Sequence, residues 1–595
     1  MARSAVRTAQ AVPAIIARAG AGRARYAFAG VILSAWALIS ALNPTRQVGA
    51  QAGGPAMLDP NLAVRTAVGG LVTPIAVAFT GDDEMLVLEK DTGKVQRVVN
   101  GVVQGTAVDL GVNFASERGL LGIALHPDFP AAPYVYLYWT ESTTGADVDD
   151  LAAVPLLGNR VDRFRWDGST LTLDQNIIRL RAFQADAGQP ARGNHNGGVI
   201  RFGRDGKLYV IIGDNGRRGL LQNNQSGPTP DDQFGGPEPD DAHLTGVVLR
   251  LNPDGTTPTD NPFFAAGSRM GGGVGANVQK IFAYGVRNSF GMAVDPASGF
   301  LWYQDNGDDS FDEINRVDPG ANFGWVQTMG PAERVAQFKE IEVGRAGGLQ
   351  QVRWPPTLIA DSPQEALSRL FVLSGSRYVD PEFSWKYAVA PAGIGFMGGR
   401  ALGPQYEGDL FVGASRPTLA GGYLFHFDLA GDRRGLALND PRLQDRVADN
   451  VDKFDITESE SLLVGRDFGV GTDIQTGPNG NLFVVSLSNG AVYEIYRIDF
   501  CLQDDRTGDL LQFNSLTGEY QFIRCGPQGF TLTGTAQVIR KGCLVELRDG
   551  RVLAAINRCP IAPLNTGEAT VRTSPLGPAL LINDRDVTNN ACQCR

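Results

Sequence analysis

Short hydrophobic runs rich in β-branched and aromatic residues recur between residues 55 and 498, each opened by a polar turn. Gly81-Asp82-Asp83-Glu84 precedes MLVLEK, and His126-Pro127-Asp128-Phe129 leads to YVYLYWT. Arg204-Asp205-Gly206-Lys207 precedes LYVIIGD, and Ala297-Ser298-Gly299 precedes FLWYQD. Tyr406-Glu407-Gly408 precedes DLFVGA, and Pro478-Asn479-Gly480 opens NLFVVSLSNGAVYEI. Asp-Gly and Asn-Gly steps between apolar runs are hairpin signals, because these residues tolerate the positive φ that tight turns need. Six occurrences of one turn-and-strand unit, none able to bury its faces alone, predict an all-β chain folded as a six-bladed β-propeller over residues 55–498. A pair of β-sandwiches would not explain one signature repeated six times. The units lie about 50 to about 110 residues apart, whereas a blade takes about 40–50. The surplus is expected in inserted loops, where a propeller carries its function.

Composition sharpens this picture. The 595 residues include 74 glycines, about 12% against a usual ~7%, as a turn-rich β-protein requires. The first fifty residues hold six arginines and no acidic side chain, so the overall net charge of −11 leaves −17 on the remainder. Such a surface repels phosphate backbones, and no dense basic stripe offsets it, so nucleic acid is not an expected partner. Arg3, Arg7, Arg18, Arg23 and Arg25 precede the apolar stretch 26–42 and the small triplet Val48-Gly49-Ala50. That order is the one a secretory signal peptide has, here over residues 1–50 and cleaved after Ala50, and it predicts a periplasmic or extracellular protein. Left uncleaved, the same stretch is an N-terminal anchor, and no later segment is expected to cross a membrane.

The cysteines mark a boundary. Cys501, Cys525, Cys543, Cys559, Cys592 and Cys594 all lie in the last hundred residues. A long unit with enough core to need no staples is thus followed by a short one that needs them, a disulfide-rich β module over residues 499–595. Short strands are expected there, for example over 531–538 and 543–547. Three disulfides fit six cysteines in 15 ways. Zinc is disfavoured, because the tail has neither a Cys-x-x-Cys pair nor a histidine.

Four strings carry candidate chemistry. The first is ERGLLGIALHPDF, residues 117–129, and the second is His195-Asn196-Gly197-Gly198 followed by FGRDGKLYVIIGDNG. The third is LTGVVLRLNPDG, residues 244–255, leading to Asp260-Asn261-Pro262-Phe263. The fourth runs from Tyr284-Gly285-Val286-Arg287-Asn288 through Asp312-Glu313-Ile314-Asn315 to Asn322-Phe323-Gly324-Trp325. In this order the strings resemble the soluble quinoprotein glucose/sorbosone dehydrogenase family, over residues 60–498. The resemblance implies a six-bladed propeller, in agreement with the repeats. It also implies an enzyme that oxidises the C1 hydroxyl of an aldose with pyrroloquinoline quinone (PQQ), held with Ca²⁺ on the top face. Its partners would be a small sugar and an external electron acceptor.

By the same resemblance His195 falls on the general base, a role that suits imidazole because its pKa lies near working pH. Asp214 falls on the carboxylate that orients it, and Glu117 on a position lining the same pocket. Arg287 and Asn288 fall on cofactor contacts, a guanidinium being a natural partner for a quinone carboxylate. The backbone carbonyls of Gly307 and Asp308 fall on the loop that supplies calcium ligands.

Without the resemblance these residues have plainer roles. His195 reads as a turn or core histidine, Asp214 as an Asx-turn residue and Arg287 as a scaffold ion-pair partner. His126 and His426 read as structural. Asp305, Asp308, Asp309, Asp312 and Glu313 form an acidic run, expected to be about half solvated surface and lacking EF-hand spacing.

The chain also departs from the family pattern. Where the family's PQQ enzymes carry Arg-x-Arg-Asp, it reads Val470-Gly471-Thr472-Asp473. A family lysine from the preceding blade has no evident match, Arg416 and Arg466 being the substitutes considered, and Phe323 replaces a tyrosine near the metal loop. At ~1.5–3 kcal/mol per charged hydrogen bond, losing two or three cations weakens cofactor binding by orders of magnitude. Two other functions therefore stand beside the dehydrogenase. One is a non-catalytic propeller binding a carbohydrate or protein, which the missing arginines favour. The other is a calcium-dependent lactonase-type hydrolase. Fold alone does not separate them.

Overall fold

A computed structural model describes residues 54–183, 193–216, 220–223, 244–345, 356–415 and 421–498, with shorter strand segments between 500 and 557. The expected signal peptide and the disulfides expected among the six cysteines lie outside the described residues. What is described is mostly β, with a few short helices, none of them long and apolar enough to cross a membrane.

Strands between residues 56 and 497 form six sheets in chain order. Their first strands are Pro74–Gly81, Leu120–Leu125, Ile200–Phe202, Met292–Val294, Pro391–Phe396 and Gly471–Thr476. Each packs beside the next, and the sixth returns to the first, so the sheets stand in a closed ring. The second strands are Glu84–Glu89, Tyr134–Thr140, Leu208–Ile212, Leu301–Asp305, Leu410–Ala414 and Leu482–Ser486. These are the runs that follow the six turn signals. Nearly every residue in them is buried, because a second strand has a neighbouring sheet against each face. That double burial is why they read as continuous apolar runs instead of alternating ones. Outer strands differ: Val102–Asp109 is exposed over its first five residues.

The sixth sheet takes its fourth strand, Leu62–Gly69, from the other end of the chain, paired antiparallel with Ala491–Arg497. Arg65 secures this seam with two bonds to Glu494, of 2.8 and 2.9 Å. Asn479 and Asn481 donate to the same carboxylate. On the ring axis, Ile75, Leu121, Gly197, Phe290 and Thr472 line a cavity of about 20 Å³, room for about one water. Arg201 and Asp473 form an ion pair of 2.7 Å beside it.

Helices occupy the insertions: Phe264–Met270, Gly272–Val278, Val335–Arg345 and Pro363–Arg369. Ser362 starts the last of these by accepting the Glu365 N–H, with Pro363 in the first helical position, where its missing N–H costs nothing. Beyond the ring, Phe500–Gln503, Leu510–Phe513, Glu519–Ile523 and Thr531–Thr535 form one sheet. Gln537–Lys541, Leu544–Arg548 and Leu553–Asn557 form another. The single strand expected over 531–538 is thus divided between two sheets. The Tyr496 hydroxyl, hydrogen-bonded to Gln521 at 2.6 Å, ties the four-stranded sheet to the ring.

Candidate active site

His195 stands in the irregular segment before the third sheet's first strand, at φ +59°, a conformation unfavourable for a residue with a side chain. Two bonds hold it there. Its backbone N–H donates to Glu117 Oε2 at 2.5 Å, and its ring Nδ1 lies 2.6 Å from Asp214 Oδ1. Asp214 follows the third sheet's second strand, and its own N–H donates to the Arg287 carbonyl at 2.9 Å. Asp214 Oδ1 also accepts the Gly216 N–H at 2.6 Å, and Oδ2 accepts the Trp325 indole N–H at 2.8 Å. Both His195 and Asp214 are buried.

Gly213 makes this approach feasible. A Cβ there would lie 2.5 Å from the Arg287 carbonyl oxygen and 2.7 Å from that of His195, both rigid backbone atoms. Gly213→Ala is expected to cost about 1–3 kcal/mol through overpacking and to displace His195 from Asp214. Thermal denaturation measures the first effect. An unchanged melting temperature would show that the gap relaxes freely.

Arg287 is buried, and its guanidinium donates to the carbonyls of Asn306 at 2.6 Å and Gly307 at 2.9 Å. It lies 3.6 Å from Asp308 Oδ1 and sits over the Trp325 ring at 5.3 Å. Asn288 Nδ2 donates to Glu117 at 3.3 Å. The residues singled out from the sequence, Glu117, His195, Asp214, Arg287, Asn288, Gly307 and Asp308, are therefore joined by direct contacts into one cluster. Trp325 bridges its two halves, since its N–H holds Asp214 and its ring carries Arg287. In the sequence that tryptophan stands only at the end of the 322–325 string, with no sign of either contact.

The acidic run is not the half-solvated surface expected. Asp305, Asp308, Asp312 and Glu313 are all buried. Three of the four, Asp305, Asp312 and Glu313, are buried where they cap loop backbone. Asp305 accepts the N–H groups of Arg287 and Asn288 at 2.9 and 2.6 Å. Asp312 accepts those of Gly307, Val389 and Ala390, and Glu313 that of Gly330. Burial pushes the Asp305 carboxyl up to about 7 and Asp312 up to about 6, against the pull of those N–H groups. Glu117 is also raised by burial, with His195 opposing.

Two further residues complete the cluster, and neither was visible as a motif. Glu342, on the helix Val335–Arg345, accepts the Asp309 N–H at 3.0 Å and the Ser310 hydroxyl at 2.8 Å. Burial, then the neighbouring Asp308 and Asp309, push it up to about 8. Lys453, in the insertion before the fifth sheet's fourth strand, donates to the Asp308 carbonyl at 3.0 Å and pairs with the Asp309 carboxylate. It belongs to the sheet before the sixth and is set against the site, 145 positions away from Asp308 in sequence.

The donor set suits a hard cation. Gly307 O and Asp308 O face Arg287 and Lys453, and the buried Asp308 Oδ2 and Glu342 Oε2 have no hydrogen-bond partner among the described residues. A cation bound here would compete with Arg287 and Lys453 for the two carbonyls. Among the described residues, the cations bonded to this loop, and so placed for an anionic cofactor, are the same two side chains. Val470 and Thr472 are buried and neutral. Arg466 is exposed on the outer strand Leu463–Arg466, too far out to substitute for them, and Arg416 lies outside the described residues. Phe323 packs edge-on against Tyr303 at 4.9 Å in an apolar cluster, so its ring is part of the core.

Residues 71–343 match the family model described as Glucose / Sorbosone dehydrogenase. The chain is 33% identical over 280 residues to quinoprotein glucose dehydrogenase B of Acinetobacter calcoaceticus, an alignment covering 45% of this chain and 53% of that protein. The chain thus spans about half the length of that relative. Aldose sugar dehydrogenase YliI of Escherichia coli (strain K12) is 26% identical over 419 residues, 69% of this chain and 86% of its own length. Among solved structures, the apo form of the soluble aldose sugar dehydrogenase from Escherichia coli aligns with a TM-score of 0.48 at 23% identity, covering 73% of this chain and 99% of that one. All seven of the residues selected from the sequence fall within residues 71–343, the segment that matches the Glucose / Sorbosone dehydrogenase model.

Proposed function

We propose that the six sheets are the blades of a six-bladed β-propeller and that the protein is an exported, PQQ- and calcium-dependent dehydrogenase of aldoses or related sugars. The observation that carries this reading is the buried His195–Asp214 pair at 2.6 Å, beside a loop of oxygen donors and two cations. With Nδ1 committed to Asp214, His195 takes the proton of the sugar's C1 hydroxyl at Nε2. Asp214 stabilises the imidazolium that results, and the Trp325 and Gly216 N–H groups keep its carboxylate aimed at the ring. Glu117 holds the backbone of His195 in its left-handed conformation. Arg287 and Lys453 would hold the carboxylates of PQQ. Gly307 O and Asp308 O, with the carboxylates of Asp308 and Glu342, would hold Ca²⁺. Bound PQQ supplies the two-electron acceptor for the hydride leaving C1.

Titration of the calcium-loaded protein with PQQ, followed by dye reduction against a panel of aldoses, tests this. Saturable binding in the micromolar range or tighter, with sugar-dependent reduction, is expected. Absence of binding at high micromolar PQQ would overturn the proposal and favour a second reading, a propeller that binds a carbohydrate or protein without turnover. The buried neutral pair Val470 and Thr472 is the observation behind that second reading. Metal-dependent hydrolysis of a lactone without quinone would instead support a hydrolase.

A further inference from the structure

We infer that the fifth sheet carries a separate binding site for a divalent transition ion, Zn²⁺ by preference, formed by Asp409, His426 and Asp428. In that sheet Leu410 pairs with Phe427 and Phe411 with His426. One step further along the same ladder sets Asp409 opposite Asp428, while His426 and Asp428, two residues apart, share a face of the strand. Three metal-ligating side chains thus meet on one face at one end of a hairpin. Like charges directly opposed across a ladder are destabilising, and a cation between them removes the penalty.

The distances fit that cation. His426 Nε2 lies 3.1 Å from Asp409 Oδ2 and 3.6 Å from Asp428 Oδ1, and all three ligand atoms lie within 4.8 Å of one another. Zinc–nitrogen and zinc–oxygen bonds of about 2.0–2.2 Å arranged tetrahedrally put ligand atoms about 3.3–3.6 Å apart. The separations of both carboxylates from His426 are therefore already near the spacing that a zinc ion imposes.

Each ligand is also held from behind. Asp409 Oδ1 accepts the Leu429 N–H at 3.3 Å, and Asp428 Oδ2 accepts the Asn439 amide at 3.2 Å, which leaves the opposite oxygen of each carboxylate turned to His426. The imidazole is fixed between Tyr406 and Phe411, with ring centroids at 4.9 and 5.1 Å. Such outer contacts, which orient each ligand without competing for its metal-facing atom, are what a metal centre requires. Burial and then the Asp409 carboxylate hold Asp428 above its usual range, with His426 opposing. An imidazole nitrogen among the ligands selects a transition ion over Ca²⁺.

This site is distinct from the candidate active site. Ser415, just past the far end of the strand Leu410–Ala414, bonds Ala390 beside the loop that Asp312 caps, whereas Asp409 precedes the near end. The fourth coordination position faces solvent, since the Asp428 side chain is 44% exposed. The role this suits is a clasp that ties together the two strands at the open end of the hairpin.

The test uses the untagged full chain, stripped with chelator and returned to calcium buffer. Titration with Co²⁺ should produce the visible bands of a four-coordinate ion, saturating at one equivalent, and Zn²⁺ should abolish them and raise the melting temperature. His426→Ala should lose both responses. Asp428→Asn, at a half-exposed position that keeps its neutral neighbour Asn439, should lose most of the cobalt band even if His426→Ala folds poorly. No saturable band in the wild type, or equal bands in the wild type and Asp428→Asn, would overturn the assignment.

Discussion

His195→Ala should lower kcat for aldose oxidation by about 10²–10⁴-fold, the usual worth of a positioned general base, while PQQ affinity stays near that of the wild type. The expectation follows from where His195 sits. Its ring bonds Asp214, whereas Arg287 and Lys453 bond the carbonyls of the 306–308 loop. Losing the imidazole removes the proton acceptor and leaves the cofactor's partners in place. Exogenous imidazole should restore part of the rate, because the cavity left beside Asp214 keeps the orienting carboxylate and its Trp325 and Gly216 donors. Steady-state dye reduction and cofactor titration on one preparation separate the two quantities. A variant retaining turnover within a factor of ten would remove His195 from proton transfer.

Arg287→Ala is expected to affect stability more than any other single change in the site. The guanidinium satisfies two carbonyls, opposes the buried Asp308 carboxylate and stacks on Trp325. Breaking a buried pair from one side typically costs about 3–5 kcal/mol, because the remaining charge has neither water nor partner. Urea denaturation in calcium-free buffer should show that loss. Calcium should restore more stability to the variant than it adds to the wild type, since an ion at Asp308 supplies the missing positive charge. Arg287→Lys should recover part of the stability and little of the PQQ affinity, because an ammonium cannot reproduce the planar two-pronged contact. Equal denaturation midpoints for wild type and Arg287→Ala would mean that Lys453 alone neutralises the loop.

The architecture was legible where burial is repetitive. Runs such as YVYLYWT and LYVIIGD are apolar on both faces because each lies between neighbouring sheets, and the Gly-containing turns before them mark where the chain reverses. The contacts of His195, Asp214, Glu117 and Arg287 were within reach because their strings are dense enough to be matched residue by residue. Lys453 and Glu342 were not. Both come from insertions whose surrounding sequence has no period or motif, and only the closed ring brings them to the Asp308 loop. The acidic run was misread for a related reason: composition says that carboxylates prefer water, and it cannot show that backbone N–H groups of the 285–291 and 388–390 segments await them. His426 was read as structural. Nothing in its apolar strand shows that Asp409 and Asp428 face its ring.

The seam between Leu62–Gly69 and Ala491–Arg497 has a consequence for biogenesis. Arg65 and Glu494, which lock it, are 429 residues apart in the chain. A ribosome that has released five sheets has made a partial ring with an uncovered apolar sheet face at either side of the gap and an unpaired first strand. Such faces and edges are templates for wrong partners. The first strand must wait, unpaired in its final position, until almost the whole ring has been synthesised. Chains stopped short of residue 491 should therefore be captured by chaperones or aggregate, however complete their individual sheets, and folding yield should depend on how quickly the two ends meet.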